Sequence, residues 1–159
     1  RFAGGCASDL LFVNTSGQNN YFDLLPGRGE TDDVPLLSVP LACYFVHSWS
    51  AQNPRSQATI AGRFIEHGAY LYVGSVHEPF LQGFVQPRAV AQELSLGAPW
   101  GSAVRAAGMP PWRIGMFGDP LAGPNFAKPS PGLAATSPHP RMNSPQRSRT
   151  SASIRPSGC

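Results

Sequence analysis

The run from Leu41 to Val76 constrains the fold more than any other part of the chain. Leu41-Ala42-Cys43-Tyr44-Phe45-Val46 has no polar alternation, the pattern of a strand covered on both faces. Ile60, Ala61, Phe64 and Ile65 then fall on one helical stripe, with Ser56 as the expected N-cap and Gly68 as the stop. Ala69 to Val76 is apolar again and reads as a second strand. Strand, helix and strand in this order predict two parallel neighbours joined by a right-handed crossover. That places the chain in the α/β class.

The remaining segments fit around this unit. Leu10-Leu11-Phe12-Val13 reads as a buried strand running into Asn14-Thr15-Ser16-Gly17. Residues 18–39 are rich in Gly, Pro, Asn and Asp and are expected to form one long surface loop. Pro87 opens a helix with Val90, Ala91 and Leu94 on one face and Gly97 behind it. A shorter helix is expected over 101–107, and a last strand at Ile114–Phe117. The expectation is a three-layer α/β arrangement in residues 10–121, with strands near 10–14, 41–47, 69–76 and 113–117 and an essentially parallel sheet.

Charge divides the chain at the same place. Residues 1–121 carry 7 basic and 9 acidic side chains, a net −2, whereas residues 122–159 carry 5 basic and none acidic. The pI near 9.0 therefore belongs to the last segment, and a nucleic-acid partner is not expected. That segment has seven Pro and seven Ser in 38 residues, too little apolar surface to offset chain entropy, and is expected to be a disordered Pro/Ser/Arg-rich tail. A natural tail and out-of-frame coding sequence both account for its composition. No stretch is long and apolar enough to span a bilayer. Without an initiating Met, the chain reads as a piece of a longer polypeptide, its start missing. Cys6, Cys43 and Cys159 form neither a disulfide framework nor a zinc pattern, so no metal or cofactor is expected and the compartment stays unassigned.

Chemistry in such a sheet gathers beyond the carboxyl ends of the strands. Three polar strand ends, around Ser16, Ser48-Trp49-Ser50 and Ser75-Val76-His77-Glu78, are expected to line one shallow cleft. Trp49 is the leading binding candidate, because an indole offers a large apolar surface and one donor. Capping of the core under the 18–39 loop explains it equally well. His77-Glu78 is an ordinary polar turn unless a base is needed there. His47 fits a core histidine bonded to backbone, His67 a cation at a helix end, and Cys43 a buried small hydrophobe. Asp32-Asp33 fits a solvated loop better than a cation site.

The order of parts resembles the second half of the caspase–hemoglobinase fold, most closely the gingipain-type cysteine peptidases. The resemblance covers about residues 10–121. It rests on the Leu11-Phe12-Val13-Asn14-Thr15-Ser16-Gly17 strand end and on the Ala42–Ser50 strand and turn before Thr59–Phe64. It also rests on the Phe64–Ser75 run and the closing Phe117-Gly118-Asp119-Pro120-Leu121. It implies a three-layer caspase-like sandwich with its N-terminal part missing and an endopeptidase ancestry. The family's catalytic His falls at Ser16, and its Cys in a turn that reads Ser48-Trp49-Ser50. A thiolate needs sulfur and a nearby imidazole. The resemblance therefore implies a non-catalytic domain that binds peptide or a partner protein. The alternatives are an active peptidase using Ser48 or Ser50 with His77, and an unrelated α/β protein.

Overall fold

The computed structural model describes residue 6 and residues 8–105 and 113–124. Strand β1 is Leu10–Asn14, and β2 (Gly17–Gln18), β3 (Tyr21–Asp23) and β4 (Arg28–Glu30) follow it closely. Then come β5 (Leu41–Val46), helix α1 (Ile60–Glu66), β6 (Ala69–Ser75), α2 (Pro87–Ser95), α3 (Trp100–Ala103) and β7 (Ile114–Phe117). The main sheet has the order β1-β5-β6-β7. β5 pairs in parallel with β1, Leu10 against Ala42, and with β6, Tyr44 against Val73. The strand–helix–strand unit expected from the sequence is present.

Alternation along β5 assigns its side chains to two cores. Cys43 and Phe45 face Ile60, Ala61 and Phe64 of α1 together with Phe22 and Val34. Ala42, Tyr44 and Val46 face Val90 and Leu94 of α2 and Trp100 and Ala103 of α3. Every residue of β5 is buried, which explains its unbroken apolar sequence. Phe45 anchors the first core, with ring centroids 5.9 Å from Phe22, 5.9 Å from Phe64 and 6.1 Å from Tyr72. In the second, Phe12 stacks on Trp100 at 6.1 Å, and the Tyr44 hydroxyl donates to the Val85 carbonyl at 2.7 Å.

Four expectations are corrected. Residues 18–39 are not one loop: β2, β3 and β4 form a small antiparallel sheet, Gly17 opposite Phe22 and Phe22 opposite Gly29. A short turn at Thr31–Asp33 follows, where Asp32 pairs with Arg63 at 2.9 Å. The strands are two or three residues long, below the length at which alternation is readable. The cap of α1 is Thr59 rather than Ser56: the Thr59 hydroxyl accepts the Gly62 N–H at 3.3 Å, and the Ser56 carbonyl accepts the Thr59 N–H at 3.0 Å. The apolar stripes are also narrower than read, since Ile65 and Ala91 are exposed. Finally, β7 is antiparallel to β6, Ser75 opposite Ile114. It enters beside the carboxyl end of β6, where the Val76 N–H donates to the Arg113 carbonyl at 2.9 Å, so it can only run back. The short helix ends at Ala103; the rest of its expected span from 106, and residues 125–159 of the tail, lie outside the described residues. No helix among the described residues is long and apolar enough to cross a membrane.

Candidate functional site

The three strand ends meet at one edge of the main sheet. The Thr15 N–H donates to the Val46 carbonyl at 3.1 Å, tying the end of β1 to that of β5. The Ser75 hydroxyl donates to the His47 carbonyl at 2.6 Å, and the Ala51 N–H to the Ser75 carbonyl at 2.8 Å, tying β6 to the turn after β5. Within this frame Trp49 and His77 come together, ring centroids 4.3 Å apart. Trp49 is half-buried and has φ 63, a conformation that bulky residues rarely adopt. His77 is exposed, and its Nδ1 accepts the Glu78 N–H at 2.8 Å.

The other candidates divide. Ser48 is half-buried beside Trp49. Ser16 is exposed, but its hydroxyl donates to the Asp23 carboxylate at 2.7 Å, so it faces the small sheet. Ser50 and Ser75, expected on the cleft surface, are both 0% exposed and belong to the interior. The turn after β5 folds back over Gly74, whose missing side chain leaves the space the Ser50 hydroxyl fills.

Beneath this surface lie His47 and Cys43, buried as the sequence indicates, and the Tyr72 phenol and Ser50 hydroxyl, whose burial sequence reasoning missed. His47 is 2% exposed, and its Nε2 lies 3.1 Å from the Tyr21 carbonyl. A carbonyl only accepts, so Nε2 carries the proton of the neutral ring. Nδ1 has no hydrogen-bond partner. Burial holds the His47 pKa below 6.5, against the partial compensation of nearby backbone carbonyls and Asp23. The Tyr72 phenol and the Ser50 hydroxyl are also buried without a partner in hydrogen-bond geometry. Burial drives the Tyr72 pKa well above its usual 10.0 and the neighbouring Cys43 thiol adds to the rise, while Ser50 offsets part of it. Burial likewise raises the Cys43 thiol. The partnerless burial of Tyr72 and Ser50 carries no sequence signal, because it depends on contacts across elements.

A cavity of about 530 Å³ lies at the opposite, amino edge of the sheet, with Asp9, Pro40 and Tyr70 among its lining residues. Among the described residues, no cluster of His, Cys, Asp and Glu is arranged to hold a metal ion. Comparison with protein-family models, curated proteins and solved structures returns no match, so the functional argument rests on the residues themselves.

Proposed function

We propose that the chain is a catalytically degenerate, gingipain-like peptidase domain fragment, built as a caspase-like sandwich, whose carboxyl edge binds a peptide or a partner segment. The Trp49 turn is the observation that carries this reading. A half-exposed indole held at φ 63 against His77 stores backbone strain, and such strain concentrates at ligand sites. Its position, after the central strand and at the polar edge, is where an α/β sheet offers ligands a place.

The same edge is poorly equipped for hydrolysis. The turn holds Ser48, Trp49 and Ser50 but no sulfur. Ser50 is wholly buried, and Ser16 is occupied by Asp23. His77 uses Nδ1 on its own backbone neighbour, and the buried His47 directs Nε2 to Tyr21. A displaced serine peptidase would therefore depend on Ser48 alone.

The test combines binding and activity. A positional peptide library is titrated against the wild-type chain and Trp49→Ala, with thermal unfolding of both recorded. Saturable binding that is lost in a folded Trp49→Ala variant, without peptide turnover or fluorophosphonate labelling, supports the reading. Fluorophosphonate labelling at Ser48 or Ser50 replaces it with an active hydrolase. Binding retained by a folded Trp49→Ala, or a Trp49→Ala that unfolds, removes Trp49 from the binding role.

A further inference from the structure

His47 lies where three parts of the molecule meet. Its own carbonyl is held by the Ser75 hydroxyl of β6, its ring by the Tyr21 carbonyl of β3, and its chain continues directly into the Trp49 turn. The fit on the hairpin side is close. Gly17 has φ 145, and any side chain there would meet both the Tyr21 carbonyl and His47 Nε2. On the other side the Phe45 ring lies edge-on at 5.5 Å. The imidazole is thus a peg between the main sheet and the small one, with one nitrogen engaged and the other bare.

We propose that His47 is a proton-operated latch: the neutral ring holds the β2–β3 hairpin on the main sheet and fixes the Trp49 turn, and protonation loosens both. The role of the turn in binding rests on the function proposed above; the latch itself does not. The chemistry follows from the two nitrogens. A proton added to Nδ1 creates an N–H and a positive charge in a site with no aligned acceptor, and burying both is costly. Turning the ring out to solvent breaks the bond to Tyr21 and loosens the hairpin, leaving it held by Phe22 on Phe45 and by the Ile60 N–H on the Asn19 carbonyl.

The groups facing the ring do not remove this conflict. The Ser48, Tyr21 and Ser16 carbonyls and the Asp23 carboxylate favour the charged ring, but burial outweighs them. Asp23 is itself engaged by the Ser16 hydroxyl at 2.7 Å and lies 3.9 Å from Arg28. Arg28 of β4, 3.8 Å from the Tyr21 ring centroid, adds a positive charge on the same small sheet. Cys43 on the same strand and Tyr72 on β6 are both held neutral by burial, so neither supplies a counter-charge. Beyond the Trp49 turn, His77 lies against the Trp49 ring and brings no carboxylate to that side.

Amide hydrogen exchange of the full chain tests the latch, at about pH 7.5 and about pH 5 and corrected for intrinsic rates, in wild type and His47→Gln. Glutamine keeps a donor for the Tyr21 carbonyl but cannot acquire the charge. The wild-type chain is expected to lose protection over residues 17–23 and 47–51 at the lower pH, while His47→Gln keeps it at both. Unchanged wild-type protection, or an equal loss in His47→Gln, overturns the latch. Should His47→Gln fail to fold, nuclear magnetic resonance titration of the wild-type imidazole decides. A transition below 6.5 that moves the Gly17 and Tyr21 amides supports the latch. A transition at or above 6.5, or one that leaves those amides unmoved, rejects it. No peptide enters these measurements, so failure of the latch and failure of the binding reading are separate results.

Discussion

Trp49 and Cys43 show how differently two single residues can be used in neighbouring positions of one segment. Trp49 keeps a backbone conformation that glycine adopts freely and a bulky residue does not. Trp49→Gly is expected to be more stable to urea than Trp49→Ala by about 1 kcal/mol, because only glycine also relieves the strain. If the two are equally stable, the turn stores no strain. Cys43 is 0% exposed and its thiolate is strongly disfavoured, whereas Cys6 is only partly buried. A thiol reagent such as iodoacetamide is expected to modify Cys6 in the folded chain and to reach Cys43 only after urea is added. Rapid native labelling of Cys43 would contradict the packing of β5. Burial of Cys43 and the backbone-bonded state of His47 were both legible in the sequence, since each lies in or beside an unbroken apolar run. The Trp49–His77 contact was legible only as a shared edge, because φ at Trp49 and the spacing of the two turns depend on the folded backbone.

At the scale of elements, α1 shows what patterning can and cannot reveal. Its existence and apolar stripe follow from Ile60, Ala61 and Phe64, but its start does not. Ser56 and Thr59 are both good caps, and the choice is made by tertiary contacts: the Thr59 hydroxyl lies 2.7 Å from the Asn53 carbonyl and 2.8 Å from that of Ser56. Thr59→Ala is expected to cost about 1–2 kcal/mol in chemical denaturation. Removing the Ser56 side chain should cost much less, since its hydroxyl only accepts the Ala58 N–H at 3.3 Å near the surface. The reverse ranking would mean the helix starts earlier. Gly62 is a second constraint on this element. A methyl group there would run into the Ser56 carbonyl, so Gly62→Ala should destabilise the chain despite alanine's higher helix propensity. The small sheet was illegible for a related reason. Its register depends on Gly17 fitting against Phe22 and Tyr21, and strands this short leave no periodic trace.

For the molecule as a whole, His47 sets a direction of pH dependence. Its pKa in the folded chain lies below the 6.5 of an unperturbed imidazole, so the unfolded chain takes up the proton first as pH falls. The stabilisation it contributes is complete above 6.5 and declines as pH drops from there through the folded-state value. Urea titrations should show the midpoint falling over that interval in wild type and a flatter profile in His47→Gln. A midpoint that rises on acidification would reverse the sign and contradict the burial of the neutral ring.

The central strand has a consequence for how quickly this sheet can assemble. β5 pairs with β1, bringing Leu10 to Ala42, and with β6 only across the whole of α1. β7 then returns from beyond α3 to lie against β6. No ladder of the main sheet joins strands by a tight hairpin, so each one must close a long loop before it gains its first contact. The local part of the map is the β2–β4 meander, which is too short to stand alone. Refolding should therefore be slow for a chain of this size, with a rate sensitive to the length of the segment between Ser75 and Arg113. A chain still in synthesis has no partner for the fully apolar β5 except β1 until Ala69 and the residues after it emerge. During that interval its most hydrophobic stretch is also its most exposed.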